Sequence, residues 1–194
     1  MSYKRLILAS ASPRRKEILE KYGYKPIIME SGFDETGIKA RTPGELVKKL
    51  SLGKASSVVP LCRKGDLIIA SDTVVSVDGK ISGKPSSDEE AAMMIRNISG
   101  RKHQVYSGVT LIYLNNSDIK IKTFFDKTDV YVRELTDEEI DAYVKSGEPK
   151  GKAGAYAIQG LFGQYIYKIC GDINTVIGLP GSRTFEAIRE ISRS

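Results

Sequence analysis

A short apolar run, Leu6-Ile-Leu-Ala9, breaks at Ser10-Ala-Ser-Pro13 and gives way to Lys16-Glu-Ile-Leu19. That is the pattern of a buried strand turning sharply into a helix. Ser12 suits the N-cap and Pro13 the first helical position, where proline's fixed φ matches the helix and its missing N–H has no partner to lose. The helix start aims free amides at the turn, and Ser10, Ser12, Arg14 and Arg15 add hydroxyl and guanidinium donors. The stretch reads as a phosphate-binding turn, or as a well-capped helix with two solvated arginines.

The rest of the chain limits what such a turn can belong to. With 194 residues and 41% hydrophobic content it can bury one good-sized core, so the expectation is one domain over residues 1–194, with room for two lobes. The few apolar residues before Ser10 are too short for a secretory signal, and no apolar run spans a bilayer; a soluble, cytoplasmic protein without membrane association is expected. Cys62 and Cys170 are the two cysteines; with no CxxC spacing, each is expected as a small buried apolar residue rather than part of a disulfide framework. His103 is the single histidine and stands in no visible zinc or Ser-His-Asp constellation, so a metal would be a hard cation held by oxygens. The net charge of +6 is spread among 24 acidic residues, which suits a small polyanion as well as nucleic acid.

In chain order, the first helix should stop near Gly23, and Lys25 to Met29 reads as a second strand. Thr42-Pro-Gly-Glu45 opens a longer helix in which Leu46, Val47, Leu50, Ala55, Val58 and Val59 recur at helical spacing up to Pro60. This alternation favours an α/β fold. Lys54 falls on that helix and by itself reads as a solvated lysine.

Leu67 to Ala70 is uninterrupted by polar residues, as in a central strand covered on both faces, and Val74 to Val77 followed by Asp78-Gly79 signals a type I′ hairpin. Between them stands Ser71-Asp-Thr73. An acid within such an apolar stretch is costly to bury unless it is paired, metal-bound or facing water, so Asp72 reads as functional. Gly83-Lys-Pro85 offers a second cation, Lys84. Ser86 to Glu90 carries capping-box spacing twice ahead of a helix over Ala91 to Ile98 with its C-cap at Gly100. Gln104 to Leu114, a turn at Asn115-Asn116, and Ile119 to Val132 read as a long antiparallel hairpin, and Thr136-Asp-Glu-Glu139 opens another capped helix ending near Gly147. The glycine-rich loop from Gly147 to Gly160 permits close backbone approach to a ligand or simple mobility; Gln159 within it can read a ligand's edge. Two short strands, Tyr165 to Ile169 and Asn174 to Ile177, lead past Pro180 into a final helix.

Taken together, Ala9-Ser-Ala-Ser-Pro-Arg-Arg15, Ser71-Asp-Thr73, Gly83-Lys-Pro85 and Gly154-Ala-Tyr-Ala-Ile-Gln-Gly160 closely resemble the Maf family of nucleotide pyrophosphatases, over nearly the whole chain and in the family's order. A Walker-type GxxxxGK[ST] loop is absent, against an ordinary P-loop NTPase.

The resemblance implies an elongated mixed β-sheet flanked by helices, with two lobes and a central cleft, usually dimeric. It implies cleavage of a nucleoside triphosphate between the α and β phosphates, with a divalent cation, Mg²⁺ or Mn²⁺, as cofactor. By the same route Asp72 matches the family's catalytic acidic residue, which can serve as metal ligand, as base for the attacking water, or as both. Glu35 matches a further acidic, metal-binding position. Arg14, Thr73 and Gln159 match positions of substrate choice, and Ser10, Arg15, Lys54 and Lys84 match positions around the phosphates. Ser71-Asp-Thr73 with Ala157-Ile-Gln159 resembles the subgroup acting on dTTP and UTP rather than the sister subgroup acting on 7-methyl-GTP. A regulatory module of cell division that binds nucleotide or DNA without turnover is the competing function. A carboxylate at the centre of a basic site repels DNA phosphate, so no stable nucleic-acid complex is expected.

Overall fold

The computed structural model describes residues 3–115 and 118–193. The first strand, β1 (Arg5–Leu8), is followed by α1 (Pro13–Lys21), the short strand β2 (Pro26–Ile28) and α2 (Pro43–Val58). Then come β3 (Asp66–Val77), β4 (Lys80–Ser82), α3 (Asp88–Ile98), β5 (Lys102–Leu114), β6 (Ile119–Val132) and α4 (Asp137–Lys145). The chain closes with β7 (Ile166–Cys170), α5 (Ile173–Ile177) and α6 (Gly181–Arg193). The seven strands form one sheet in the order β2-β1-β3-β5-β6-β7, with β4 paired to β3. It is a mixed sheet: β1 runs parallel to β2 and β3, while β4 is antiparallel to β3 and β7 to β6. The expected α/β class with a mixed sheet flanked by helices is the one observed.

Two compact units divide the chain. The first holds the chain up to Asp72, Ser107–Asp126 and the chain from Gly178; the second holds Thr73–Tyr106 and Lys127–Ile177. In the first, Ile7, Ala9, Ile68 and Ala70 pack with Ala55 and Val58 of α2 and with Ile112 and Leu114 of β5. Leu6–Leu8 of β1 and Leu67–Ala70 of β3 are buried, as their uninterrupted apolar runs require. In the second, Val75 and Val77 pack with α3, α4 and an aromatic group of Tyr143, Tyr156, Phe162 and Tyr165.

Capping residues start the helices as the sequence indicates, with two differences. Thr42 caps α2 and Thr136 with Glu139 forms a complete capping box on α4. On α3 the Ser87 side chain accepts from Glu90 N–H, but the Glu90 carboxylate turns to Ser86, so the expected box is half made. Ser12 occupies the N-cap of α1 without its side chain capping; its amide donates instead to Ser10 Oγ at 3.2 Å. Asp78 and Gly79 both take positive φ, as a type I′ turn requires.

Two expectations are corrected. Asn174 to Ile177 belongs to the helix α5, not a strand. Asp172 accepts from the Asn174 amide at 2.8 Å through its side chain and from Thr175 through its carbonyl, starting a helical turn that overrides the β-branched composition. Cys62 is half-buried, and Cys170 is exposed at the end of the edge strand β7, where Tyr167 and Lys168 are exposed as well. Asp72 lies within one continuous strand, β3 running unbroken from Asp66 to Val77. Of the turn expected at Asn115-Asn116, Asn116 lies outside the described residues. Among the described residues, no helix is long and apolar enough to cross a membrane.

Candidate active site

The first unit brings five of the sequence-selected residues together. At the end of β1 the Ala9 amide donates to Ile69 O at 2.8 Å, so the chain leaves the sheet beside β3. Ser10, nearly buried, accepts at Oγ from the Ser12 amide and from Arg15 Nη1 at 3.0 Å. Arg15 Nε donates to Gly178 O at 3.0 Å, and Ser71 Oγ donates to the same carbonyl at 2.7 Å. One backbone carbonyl thus ties the strand-to-helix turn to β3 immediately before Asp72.

Asp72 is 7% exposed, and its charge is not left alone. Lys54, reaching from α2, donates from Nζ to Asp72 Oδ1 at 2.5 Å and lies 2.9 Å from Glu35 Oε1. One ammonium therefore bridges a buried and an exposed carboxylate. Arg15 senses the same pair: burial pushes its guanidinium below the usual arginine value, Asp72 and Glu35 pull it back up, and Arg14 works against it. As a residue Arg15 is half-buried, the guanidinium being its enclosed end. A guanidinium nonetheless stays charged. A cavity of about 180 Å³ opens among these groups, lined by Ser10, Arg15, Glu30, Glu35 and Lys54.

The other acid of β3 shows what a structural carboxylate looks like in this protein. Asp66, fully buried, receives Arg5 Nε at 2.8 Å and Nη2 at 2.5 Å, and accepts the Arg63 amide at 2.9 Å. These donors, Arg5 first, hold its carboxyl below the usual range. Arg5 takes it in bidentate fashion and closes it off. Asp72 instead shares a single lysine with a carboxylate on the rim of a cavity.

Among the described residues, no group of three or more His, Cys, Asp or Glu side chains is placed to hold a metal. A hard divalent ion of the Mg²⁺ kind is commonly bound through one or two carboxylates, with phosphate oxygens and water completing its shell. Asp72 and Glu35, already gathered around one cation, fit that donor set.

Arg14 is half-buried on α1 of the same unit. Thr73, Lys84 and Gln159 belong to the second unit, where Thr73 is half-buried and the other two are exposed. The loops bearing Lys84 and Gln159 are joined there: Gly154 N–H donates to Gly83 O at 2.9 Å. Gly154 has φ +67, and a Cβ on it would meet the Val75 side chain at 2.6 Å, so the junction requires glycine. Behind it His103 Nε2 pairs with the Tyr156 hydroxyl at 2.7 Å, both residues buried. Sequence reasoning gave no role to Tyr143 or Glu148, set His103 aside, and noted Ser71 only as the neighbour of Asp72. For Glu148 the one available signal was a carboxylate at the head of a glycine-rich loop.

The model of the family described as Maf-like protein matches residues 5–191. The dTTP/UTP pyrophosphatase of Lachnoclostridium phytofermentans is 41% identical over 187 residues, covering 95% of this chain and 94% of that protein. That of Agathobacter rectalis is 39% identical over 199 residues, covering 96% and 97%. A Bacillus cereus protein of the same name is 41% identical over 189 residues, covering 97% and 91%. A solved nucleoside-triphosphatase / dITP/XTP pyrophosphatase from Mycobacterium abscessus covers 98% of this chain and 96% of that one at 13% identity and a TM-score of 0.47, a likeness too weak to bear on the fold.

Proposed function

This chain belongs to the Maf-like protein family, and from that premise we propose that it hydrolyses dTTP and UTP between the α and β phosphates, releasing the nucleoside monophosphate and pyrophosphate. The observation that carries the proposal is the Lys54 bridge between Asp72 and Glu35 beside the Ser10–Arg15 turn. Relatives about 40% identical along nearly their whole length bear the name dTTP/UTP pyrophosphatase, which supports the choice of nucleotide.

Arg15, Lys54 and the amides at the start of α1 hold the phosphates, with Ser10 fixing Arg15 and with Arg14 and Lys84 adding charge. Fixed donors of this kind stabilise the charge that develops in phosphoryl transfer, and losing one typically costs roughly 10² to 10³ in rate. Asp72, whose Oδ1 is engaged by Lys54, takes the proton of the attacking water at Oδ2 as the water oxygen bonds to the α-phosphorus and pyrophosphate leaves. Asp72 and Glu35 would hold Mg²⁺ or Mn²⁺, which when bound neutralises phosphate oxygens. Gln159 accepts from N3–H and donates to O4 of uracil or thymine, and Thr73 steadies that choice. The proposal includes one Maf-like domain of two lobes acting as a cytoplasmic homodimer, without a stable nucleic-acid complex.

A nucleotide panel tests it. The purified protein with Mg²⁺ is given dTTP, UTP, CTP, the purine triphosphates and 7-methyl-GTP, and pyrophosphate is assayed. Highest kcat/KM for dTTP and UTP is expected; preference for 7-methyl-GTP, or binding without turnover, would overturn the assignment.

A further inference from the structure

The turn that carries Gln159 has a well-defined exit. Gly160 N–H donates to Ala157 O at 3.2 Å, closing a four-residue turn with Gln159 at its third position. The next two amides leave toward one carboxylate: Leu161 N–H donates to Glu148 Oε2 at 2.7 Å and Phe162 N–H to Glu148 Oε1 at 3.4 Å. The buried Tyr143 hydroxyl reaches that same Oε1 at 3.1 Å, with Ala155 O its other acceptor at 3.2 Å. Lys152 donates to the Glu148 carbonyl, tying down the backbone of the acid itself.

Gly160 fits this arrangement for a reason of space. Its φ is −104°, open to any residue, but a Cβ there would lie 2.3 Å from Glu148 Oε2. The glycine makes room for the carboxylate. An ionised carboxylate offers two acceptor oxygens and no donor, which suits two backbone amides and a hydroxyl converging on it. A primary amide would turn an NH₂ toward one of those N–H groups and leave it unpaired.

We propose that Glu148 is a positioning residue for base selection, clamping the exit of the Ala157–Gly160 turn and so fixing the direction in which Gln159 presents its amide. The amide's two ends are interchangeable by a flip, and only a fixed orientation separates the N3–H and O4 of uracil from the N3 and N4–H of cytosine. This rests on the proposed dTTP/UTP reading for the base that Gln159 meets; the clamp itself is a property of the loop.

The experiment therefore has separate arms. Amide hydrogen exchange at Leu161 and Phe162 reads the clamp, and equilibrium binding of non-hydrolysable α,β-methylene analogues of UTP and CTP reads base choice without turnover. Glu148→Gln is expected to speed exchange at both amides about tenfold and to lower the UTP-over-CTP preference by about the same factor, the effect of one lost charge-assisted bond. Gly160→Ala should do likewise by displacing the carboxylate. The double variant should add little to either, since both break one contact. Faster exchange with an unchanged preference, equal weakening of both analogues, or no preference in the wild type overturns the positioning role. Retained preference in a wild type that releases no pyrophosphate overturns the proposed reaction and supports the clamp.

Discussion

Lys54 Nζ lies 2.5 Å from Asp72 Oδ1, with both side chains almost enclosed. The acid inside the apolar strand β3 is thus already paired with a cation. Breaking one side of such a pair leaves a poorly solvated charge. Lys54→Met should cost roughly 2 kcal/mol of stability, along with most of the activity. Adding Asp72→Asn should restore part of that stability, because the stranded charge is gone. Urea unfolding of the two single variants and the double checks this; additive losses would mean that the contact contributes nothing.

The sharing of Lys54 between Asp72 and Glu35 leads to a metal prediction. Turnover should fall to background in excess chelator and return with Mg²⁺ or Mn²⁺, while far-UV circular dichroism stays unchanged. Glu35→Gln should raise the metal concentration for half-maximal activity roughly tenfold or more. Full activity after exhaustive metal removal would contradict the role given to both carboxylates.

Gln159 is exposed, at the third position of its turn. Gln159→Glu removes the donor for O4 while keeping the shape. The kcat/KM for dTTP and for UTP should each drop tenfold or more, as expected where a polar group of the substrate is left unpaired. Unchanged kinetics with both nucleotides would remove Gln159 from base recognition.

His103 gives the fold a dependence on pH. Burial lowers its imidazole to about 4, against a partial opposing pull from Asp129. The neutral form is therefore favoured in the folded state. Its contribution is complete above the unfolded value near 6.5 and is lost as pH falls toward 4, the loss reaching about 2 kcal/mol at pH 5. The wild type should lose stability between pH 7 and pH 5, and His103→Gln, which cannot titrate, should lose less. Equal losses would show that other groups govern this range.

The local signals were legible in the sequence and the distant ones were not. The strand-to-helix turn at Ser10–Pro13, the caps at Thr42 and Thr136 and the hairpin at Asp78-Gly79 all appear where neighbouring residues dictate them. Asp72 stood out because a charge inside an apolar run needs a partner, and its partner is there. The helix over Ile173–Ile177 was misread because its composition is that of a strand, and its start depends on Asp172. Glu148 meets amides more than ten residues away, and His103 meets Tyr156 across 53. No periodicity encodes such pairs, since only the folded chain brings them together.

The central claim is cleavage between the α and β phosphates with Asp72 taking part, and ³¹P NMR of dTTP incubated with Mg²⁺ and enzyme reads it directly. The wild type should produce dTMP and pyrophosphate in equal amounts, and Asp72→Asn, still folded and still binding nucleotide, should leave dTTP intact. Formation of dTDP and orthophosphate, or near-normal turnover by Asp72→Asn, would contradict it.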